Sequence, residues 1–405
     1  MKKSLANILL LIMPLLLAGG TGYYWFTSGE PLPQTLNIIL TTFIAALPLP
    51  WLLSRYLPFI KGQRQAARAD IIVKDRQQLL AASTIDTLVL GKHGVITEGQ
   101  PYVASLYPAG VSQSTLLSLA ASAEKQSAHP VGQAIYQTAY QRNAKLQEAS
   151  TFNEIPGCGV EAIVGRNSIR VGTLAWLQQE QINIDADLIT KNDQLSQRGH
   201  TTVFVANGKF CRGIIAIDDG IADETARALR KLQRKHLQLV LLTGENKRTA
   251  EALGKKAQLN QAHGQLSLEG KIRELQLLKA RGSGVALVER GAIPAELQQT
   301  ADLTIELAPL NDENAPASPP PAPLNPQAIF LQSGLLWDLT TLIDIGHNLW
   351  QRISQNKMVA IIAWLMILPP AMGLLFPLGI PFLPPAGAIC GQLLALFIIA
   401  INSLR

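Results

Sequence analysis

The stretch IDTLVLGKHGVITEGQP, residues 85–101, decides the fold of this chain. Residues 87–90 are apolar and β-prone, which predicts a buried strand. Gly91 and Gly94 then open a turn, and Thr97-Glu98-Gly99 follows as a polar loop. Gly91, at the end of the strand, has no side chain.

Working outward, the 405-residue chain is long enough for two or three domains. It is 48% hydrophobic and only 16% charged, and the apolar excess sits in runs near both ends. Four uncharged runs, at about 5–26, 36–53, 358–376 and 382–401, are long enough to span a bilayer. Lys2 and Lys3 precede the first run, Arg55, Lys61, Arg64 and Arg68 follow the second, and Arg352 and Lys357 precede the third. The positive-inside rule then predicts a multi-pass protein of a bacterial-type inner membrane, with both termini and residues 54–357 in the cytoplasm. The alternative for the first run is a cleaved signal peptide. The net charge of +6 is explained by membrane topology, and no aromatic-interleaved basic patch points to nucleic acid. Cys158, Cys211 and Cys390 are far apart and have no metal-ligand spacing.

The frame of residues 85–101 resembles the phosphorylation loop of heavy-metal (copper-type) P-type ATPases, Asp-Lys-Thr-Gly-Thr followed by Leu/Ile-Thr-Glu-Gly. Lys92, Gly94, Thr97, Glu98 and Gly99 fall in the family's places. The phosphoacceptor aspartate is replaced by Gly91, and the two threonines by His93 and Val95. The resemblance implies a haloacid-dehalogenase-like, Rossmann-like α/β phosphorylation domain over 84–100 and 213–308. An inserted α+β nucleotide-binding-like domain is expected over 101–212, a connector over 54–83, and a Pro-rich linker over 309–328. An amphipathic helix over 329–357 and membrane helix pairs over 1–53 and 358–405 complete the expected order.

Within the inserted domain, Glu124, His129 and Pro130 match a family motif in which the histidine stacks near adenine and the glutamate contacts base or ribose. Gly157 and Gly159 match its Gly-x-Gly-Val turn, and Gly172 the glycine of its Gly-Asn. The resemblance therefore implies an ATP site at Glu124, His129, Gly157, Gly159 and Gly172. The competing reading makes His129 a helix cap and the glycines a hairpin turn. Thr243 falls in a Thr-Gly-Glu-Asn segment where the family has Thr-Gly-Asp-Asn, and Lys271 matches the family's charge-neutralising lysine. With Lys92, these residues are read as vestiges of catalysis. Asp219 keeps the family's aspartate, whose arginine partner is here Ala222.

The magnesium loop, Val-Gly-Asp-Gly-x-Asn-Asp in the family, aligns with Val288-Glu289-Arg290-Gly291-Ala292-Ile293-Pro294. Arg290 takes the place of the first aspartate and is expected to repel a cation; Glu289 is expected to point away, on period-two grounds. The membrane Cys-Pro-Cys becomes Leu47-Pro48-Leu49, and the family's metal-contacting methionine and serine fall near Gln392 and Ala395. No magnesium or copper site is therefore expected. The reading is a catalytically inactive pseudo-ATPase that acts on a protein partner, either a metal pump or an assembly factor for a metal-containing membrane complex. The alternatives are an ATP-driven heavy-metal transporter, alone or with domains supplied by another chain, and a decaying copy without function.

Overall fold

The computed structural model describes residues 2–309 and 322–404, with side chains described from residue 12 onward. Most of the Pro-rich linker expected over 309–328 therefore lies outside the described residues. The chain divides into two compact units, one of Met1–Ala69, Asp75–Ser83 and Ile343–Arg405, the other of Asp70–Lys74 and Thr84–Leu342.

The second unit carries every strand among the described residues. These are β1 (Ile71–Ile72), β2 (Thr87–Leu90), β3 (Tyr102–Pro108), β4 (Ala149–Ile155), β5 (Gly159–Val164), β6 (Asn167–Gly172), β7 (Thr201–Asn207), β8 (Phe210–Asp218), β9 (Gln238–Leu242), β10 (Gln261–His263), β11 (Val285–Arg290), β12 (Leu303–Leu307) and β13 (Ile329–Leu331). Seven form one sheet in the order β1-β13-β12-β11-β2-β9-β10, parallel except at the β1 edge. A parallel sheet is covered on both faces, so its strands are apolar runs rather than alternations. Every residue of β2 and of β12 is buried accordingly. Helices Asp223–Arg234, Lys247–Lys256, Leu268–Ala280 and Ala295–Thr300 connect the strands, and Leu275, Leu278 and Leu297 pack on Val89, Val240 and Leu287.

The other six strands make an antiparallel sheet, β3-β8-β7-β6-β5-β4. Helices Gln113–Glu124 and Pro130–Gln141 cover one face, while Leu174–Gln179 and Ala186–Gln197 supply a second core around Phe204 and Ile214. The first helix starts where Ser112 accepts a hydrogen bond from the Thr115 N–H. The expected return to the α/β domain at residue 213 comes later: β8 pairs with β3 along its length up to Asp218. The inserted domain is closed by the two strands that flank the insertion, so the boundary falls after β8.

The first unit is helical: Lys2–Thr27, Leu32–Ala46, Leu49–Arg68, Arg76–Ala81, Pro385–Leu404, and Leu336–Ala371 from Ile343 onward. It is arranged with apolar side chains outward and polar ones inward. Leu16, Leu365, Met366, Leu394 and Phe397 are exposed, whereas Thr42, Asn356, Gln392 and Ser403 are buried. The Asn356 amide donates to Ser403 Oγ at 2.9 Å, and Thr42 Oγ1 donates to the Ala371 carbonyl at 3.1 Å. That is the arrangement a hydrocarbon solvent selects. Two segments among the described residues are long and apolar enough to cross a membrane, Leu32–Arg68 and Pro385–Leu404. This corrects the count of four spans at the level of helix length and hydropathy. The third expected run, 358–376, lies partly on a helix that stops at Ala371 and carries Asp338 in its first turn and Arg352 and Lys357 before the run. The side chains of the first run are described only from residue 12. The second expected run is broken at Leu47-Pro48, between two helices.

In the second unit, Glu306 of β12 is wholly buried and accepts hydrogen bonds from the Leu324 N–H, the Asn325 N–H and Asn325 Nδ2 at 2.8–3.0 Å. It ties the chain entering β13 to the sheet. Glu306→Ala would leave these donors unpaired and is expected to lower the unfolding free energy by about 3 kcal/mol. Urea unfolding of the detergent-solubilised chain measures this, and an unchanged midpoint would rule the anchoring role out.

Candidate functional site

The loop after β2 is built against its parallel neighbour β11. Leu90 lies opposite Val288, and the Gly91 N–H donates to the Val288 carbonyl at 2.9 Å. Residues 91 and 289 are therefore side by side on the same face, since in-register neighbours point the same way. A Cβ placed on Gly91 would stand 2.0 Å from Glu289 Oε2 and 2.7 Å from its Cδ. The space of the missing side chain is filled by the Glu289 carboxylate. The expectation that Glu289 points away is corrected by this register: alternation along one strand does not say which neighbour a residue meets.

Lys92 is buried, and its Nζ lies 2.6 Å from the Glu245 carboxylate and 3.0 Å from Thr201 Oγ1. Thr201 Oγ1 in turn donates to Glu245 Oε1 at 3.0 Å, so β7 of the inserted domain joins the loop. Glu245 is the residue with the extra methylene, and its N–H donates to Thr243 Oγ1 at 3.3 Å. Asp219 accepts from Thr97 Oγ1 at 2.6 Å and from the Gly99 N–H at 2.9 Å. Thr97 is thus its partner where the family's arginine is missing. Burial pushes the Asp219 carboxyl up, but hydrogen bonds from His93 and Thr97 and the charges of His93 and Lys92 together hold it below its usual range. Half-exposed His93 stands between two carboxylates, Nδ1 at 3.7 Å from Asp219 and Nε2 at 3.6 Å from Glu245. Lys271, on the helix capped by Ser267, acts on Glu289: burial raises that carboxyl and the Lys271 charge partly offsets it.

Arg290 does not face a cation position. Its Nε donates to the Gly94 carbonyl at 2.7 Å, Nη2 to the Gly334 carbonyl at 2.6 Å, and Nη1 to the Ala308 carbonyl. The expected repulsion thus becomes a structural role, with burial pulling the guanidinium down to about 10. Gly94 has φ +67°, and a Cβ there would lie 2.6 Å from Arg290 Nε, so glycine is needed twice over. Ile293 is buried and Pro294 begins the helix Ala295–Thr300. Among the described residues no group of three or more His, Cys, Asp or Glu side chains is arranged to hold a metal ion.

The five nucleotide candidates have different surroundings. His129 caps the helix Pro130–Gln141, its Nδ1 accepting from the Val131 N–H at 3.2 Å, and burial lowers its pKa. Glu124 lies beneath the same turn: a Cβ on Gly132 would be 2.3 Å from its Oε2. Burial raises its carboxyl to about 7, opposed by a hydrogen bond with Ser127 and helped by the charge of Glu154. Gly159 and Gly172 pair across β5 and β6, and their missing side chains are filled by the Val171 carbonyl and by the Cys158 carbonyl and Trp176 ring respectively. These two serve packing, and only Gly157 opens onto free space. Charges of His93 and Glu245 also act on the His129 ring. Sequence reasoning missed Glu289, Glu245, Thr97 and Thr201 as members of the site; a glycine and a carboxylate exchanged between two aligned motifs was the available signal.

With this geometry in place, the comparisons are direct. A haloacid dehalogenase-like hydrolase family model matches residues 85–289, just over half of the chain. The chain belongs to that family. It is a relative of the heavy-metal P-type ATPases. It is 31% identical over 348 residues, 85% of the chain, to a probable copper-transporting ATPase, PacS, of Synechococcus elongatus. It is 29% identical over 369 residues to the silver exporting P-type ATPase of Salmonella typhimurium. The chain spans about half the length of these relatives, 45% and 43%. A zinc-transporting PIB-type ATPase in its E2.Pi state shares the fold with a TM-score of 0.68 and 22% identity, over 98% of this chain and 62% of that one. A catalytic CPx-ATPase domain, CopB-B, shares it with a TM-score of 0.51 and 23% identity over 70% of this chain and 98% of that one.

Two outcomes test the site. Gly91→Asp is expected to destabilise the chain by about 2 kcal/mol through overpacking, and Gly91→Asp/Glu289→Gly to recover most of that loss, as a double-mutant cycle of unfolding energies would measure. For Glu124, a folded pKa above the unfolded value means that the native state binds more protons between pH 4.5 and about 7. Stability is then lost as pH rises through that window, by up to about 3 kcal/mol on this account, and level above it. Glu124→Gln should remove that slope in unfolding midpoints taken from pH 4.5 to 8.

Proposed function

We propose that this chain is a pseudo-ATPase: a membrane-anchored, catalytically inactive relative of heavy-metal P-type ATPases that works by binding a protein partner in response to adenine nucleotide. The observation that carries the reading is the replacement of the strand-end nucleophile by Gly91, with Glu289 packed into its space. Its carboxylate reaches the space from β11 and is raised by burial. A nucleophile held out of line loses many orders of magnitude in rate. Arg290, Ile293 and Pro294 leave the former cation loop with backbone and packing roles.

Copper or related metal handling, through a metal pump or an assembly factor for a metal-containing membrane complex, is the context supported by the copper and silver ATPase relatives. An inner-membrane placement with both termini and the strand-bearing unit in the cytoplasm is supported by Lys61, Arg64 and Arg68 after the second run and Arg352 and Lys357 before the third. An active transporter, alone or completed by another chain, is favoured by one observation: Lys92 and Thr243 persist beside Glu245, and Lys271 persists near Glu289.

Incubation of purified chain with magnesium and γ-labelled ATP is expected to give no acid-stable acyl phosphate. A labelled adduct lost in Glu289→Gln would establish the transporter-like chemistry instead. Affinity purification from native membranes should recover a stoichiometric partner, and its absence with and without nucleotide would remove the partner reading.

A further inference from the structure

Three helices of the first unit, Leu49–Arg68, Pro385–Leu404 and Leu336–Ala371 from Ile343 onward, enclose a cavity of about 130 Å³. Its polar lining is Lys61, Gln65, Asn348, Arg352 and Ser403, and no Asp or Glu lines it. The floor is a close contact between helices: a Cβ on Gly62 would lie 3.1 Å from Leu79 Cδ2 and 3.6 Å from Ile345 Cγ2. A single water takes about 30 Å³ of liquid, so the space suits a larger polar group.

Both cations are drawn to the cavity by the end of one helix. Lys61 Nζ donates to the Leu404 carbonyl at 3.1 Å. Arg352 Nη1 donates to the Asn402 carbonyl at 3.2 Å and to Asn402 Oδ1 at 2.8 Å. These acceptors are neutral, so two full positive charges face only the partial charge of a helix C-terminus. The surroundings have the same sign. Leu49–Arg68 adds Arg55, Arg64 and Arg68 and has no acid, and Pro385–Leu404 is uncharged. From Ile343 onward the third helix adds His347 and Lys357 against Asp344, which does not line the cavity. The short helix behind Gly62 brings Arg76 together with Asp75, its cap.

The cavity lies where the exposed surface turns from apolar to charged. Ile60, Met358 and Leu404 are exposed on the three helices, and exposed Gln63, Arg64 and Arg68 follow Ile60. Basic residues at the edge of an apolar span meet the phosphates of anionic lipids.

Resting on the membrane placement above, we propose that this cavity binds the phosphate of an anionic phospholipid, with Lys61 and Arg352 as its ligands. A guanidinium is a planar fork of donors that matches phosphate oxygens, and at Asn402 only Nη1 is engaged. Exposed Gln65 and Asn348 place amides at the mouth. A bound phosphate would bridge Leu49–Arg68 and Leu336–Ala371 at the level where both leave the apolar layer.

The test is native mass spectrometry of the detergent-solubilised full chain titrated with phosphatidylglycerol and with phosphatidylcholine. One phosphatidylglycerol is expected to bind at least about tenfold more tightly than phosphatidylcholine, the effect of two basic residues at a lipid surface. Lys61→Gln/Arg352→Gln is expected to bring the two within about threefold. Gln65→Trp, which fills the mouth and leaves both cations in place, should do the same. Arg64→Gln/Arg68→Gln removes two charges outside the cavity and should keep the preference. Equal binding of the two lipids, a preference unaltered in both cavity variants, an equal loss in the Arg64/Arg68 variant, or displacement of the lipid by millimolar inorganic phosphate would overturn the proposal. Release of the chain from native membranes by alkaline carbonate would remove the membrane placement and the lipid site with it.

Discussion

The contact between Glu289 and Gly91 sets the terms for the whole strand-end region. Two parallel strands in register, β2 and β11, bring residues 91 and 289 onto one face with room for a single carboxylate between them. In the family pattern the aspartate belongs to the first strand and the glycine to the second; here the two are exchanged. The exchange keeps the volume of the site and the sign of its charge, which is why the surrounding elements remain well packed. What changes is the backbone from which the carboxylate reaches: Glu289 enters sideways from β11, with its stem filling the space an attacking group would need.

Around that contact the other polar groups have settled into closed pairs. Lys92 with Glu245 and Thr201, and Asp219 with Thr97 and the Gly99 N–H, satisfy one another within the protein. A site prepared for a phosphoryl group keeps donors directed at empty space, where charge will develop. Here the donors point at residues already present. The buried polar groups contribute rigidity, and the longer side chain at Glu245 lets the turn after β9 reach Lys92 directly.

Much of the architecture was legible in the residues. The apolar run 87–90, the glycine-bearing turns of the inserted domain and the capping position of His129 each carry a local physical rule that survives folding. Partnerships across elements were not legible. Whether Glu289 faces Gly91 depends on sheet register, which no single strand's alternation contains. The assignment of β8 to the antiparallel sheet depends on β3, which pairs with it from far back in the chain, and β7 joins between β8 and β6. Likewise the spacing of Gly159 and Gly172 does not say that they oppose each other across β5 and β6, with the Trp176 ring packed on Gly172.

The helical unit shows the same substitution of structure for chemistry, by an independent route. Pro48 interrupts the helix pair Leu32–Ala46 and Leu49–Arg68, leaving backbone carbonyls that nothing in hydrocarbon would satisfy. Gln392 falls near the position at which the family uses a metal-contacting methionine, and its Nε2 donates to the Ala45 carbonyl at 2.8 Å, with the Leu47 and Ile44 carbonyls at 3.3 and 3.4 Å. A soft ion would have no thiolate here to bind, since leucine flanks Pro48 on both sides. The break that elsewhere opens a binding site is instead closed by one amide, as Arg290 closes the former cation loop on three carbonyls. In both places a polar side chain at a family ion position has been turned onto the backbone. The closure is one-sided at Gln392, whose amide donates to the freed carbonyls while its Oε1 stays buried without a hydrogen-bond partner among the described residues, whereas Arg290 has a carbonyl on each of its three nitrogens.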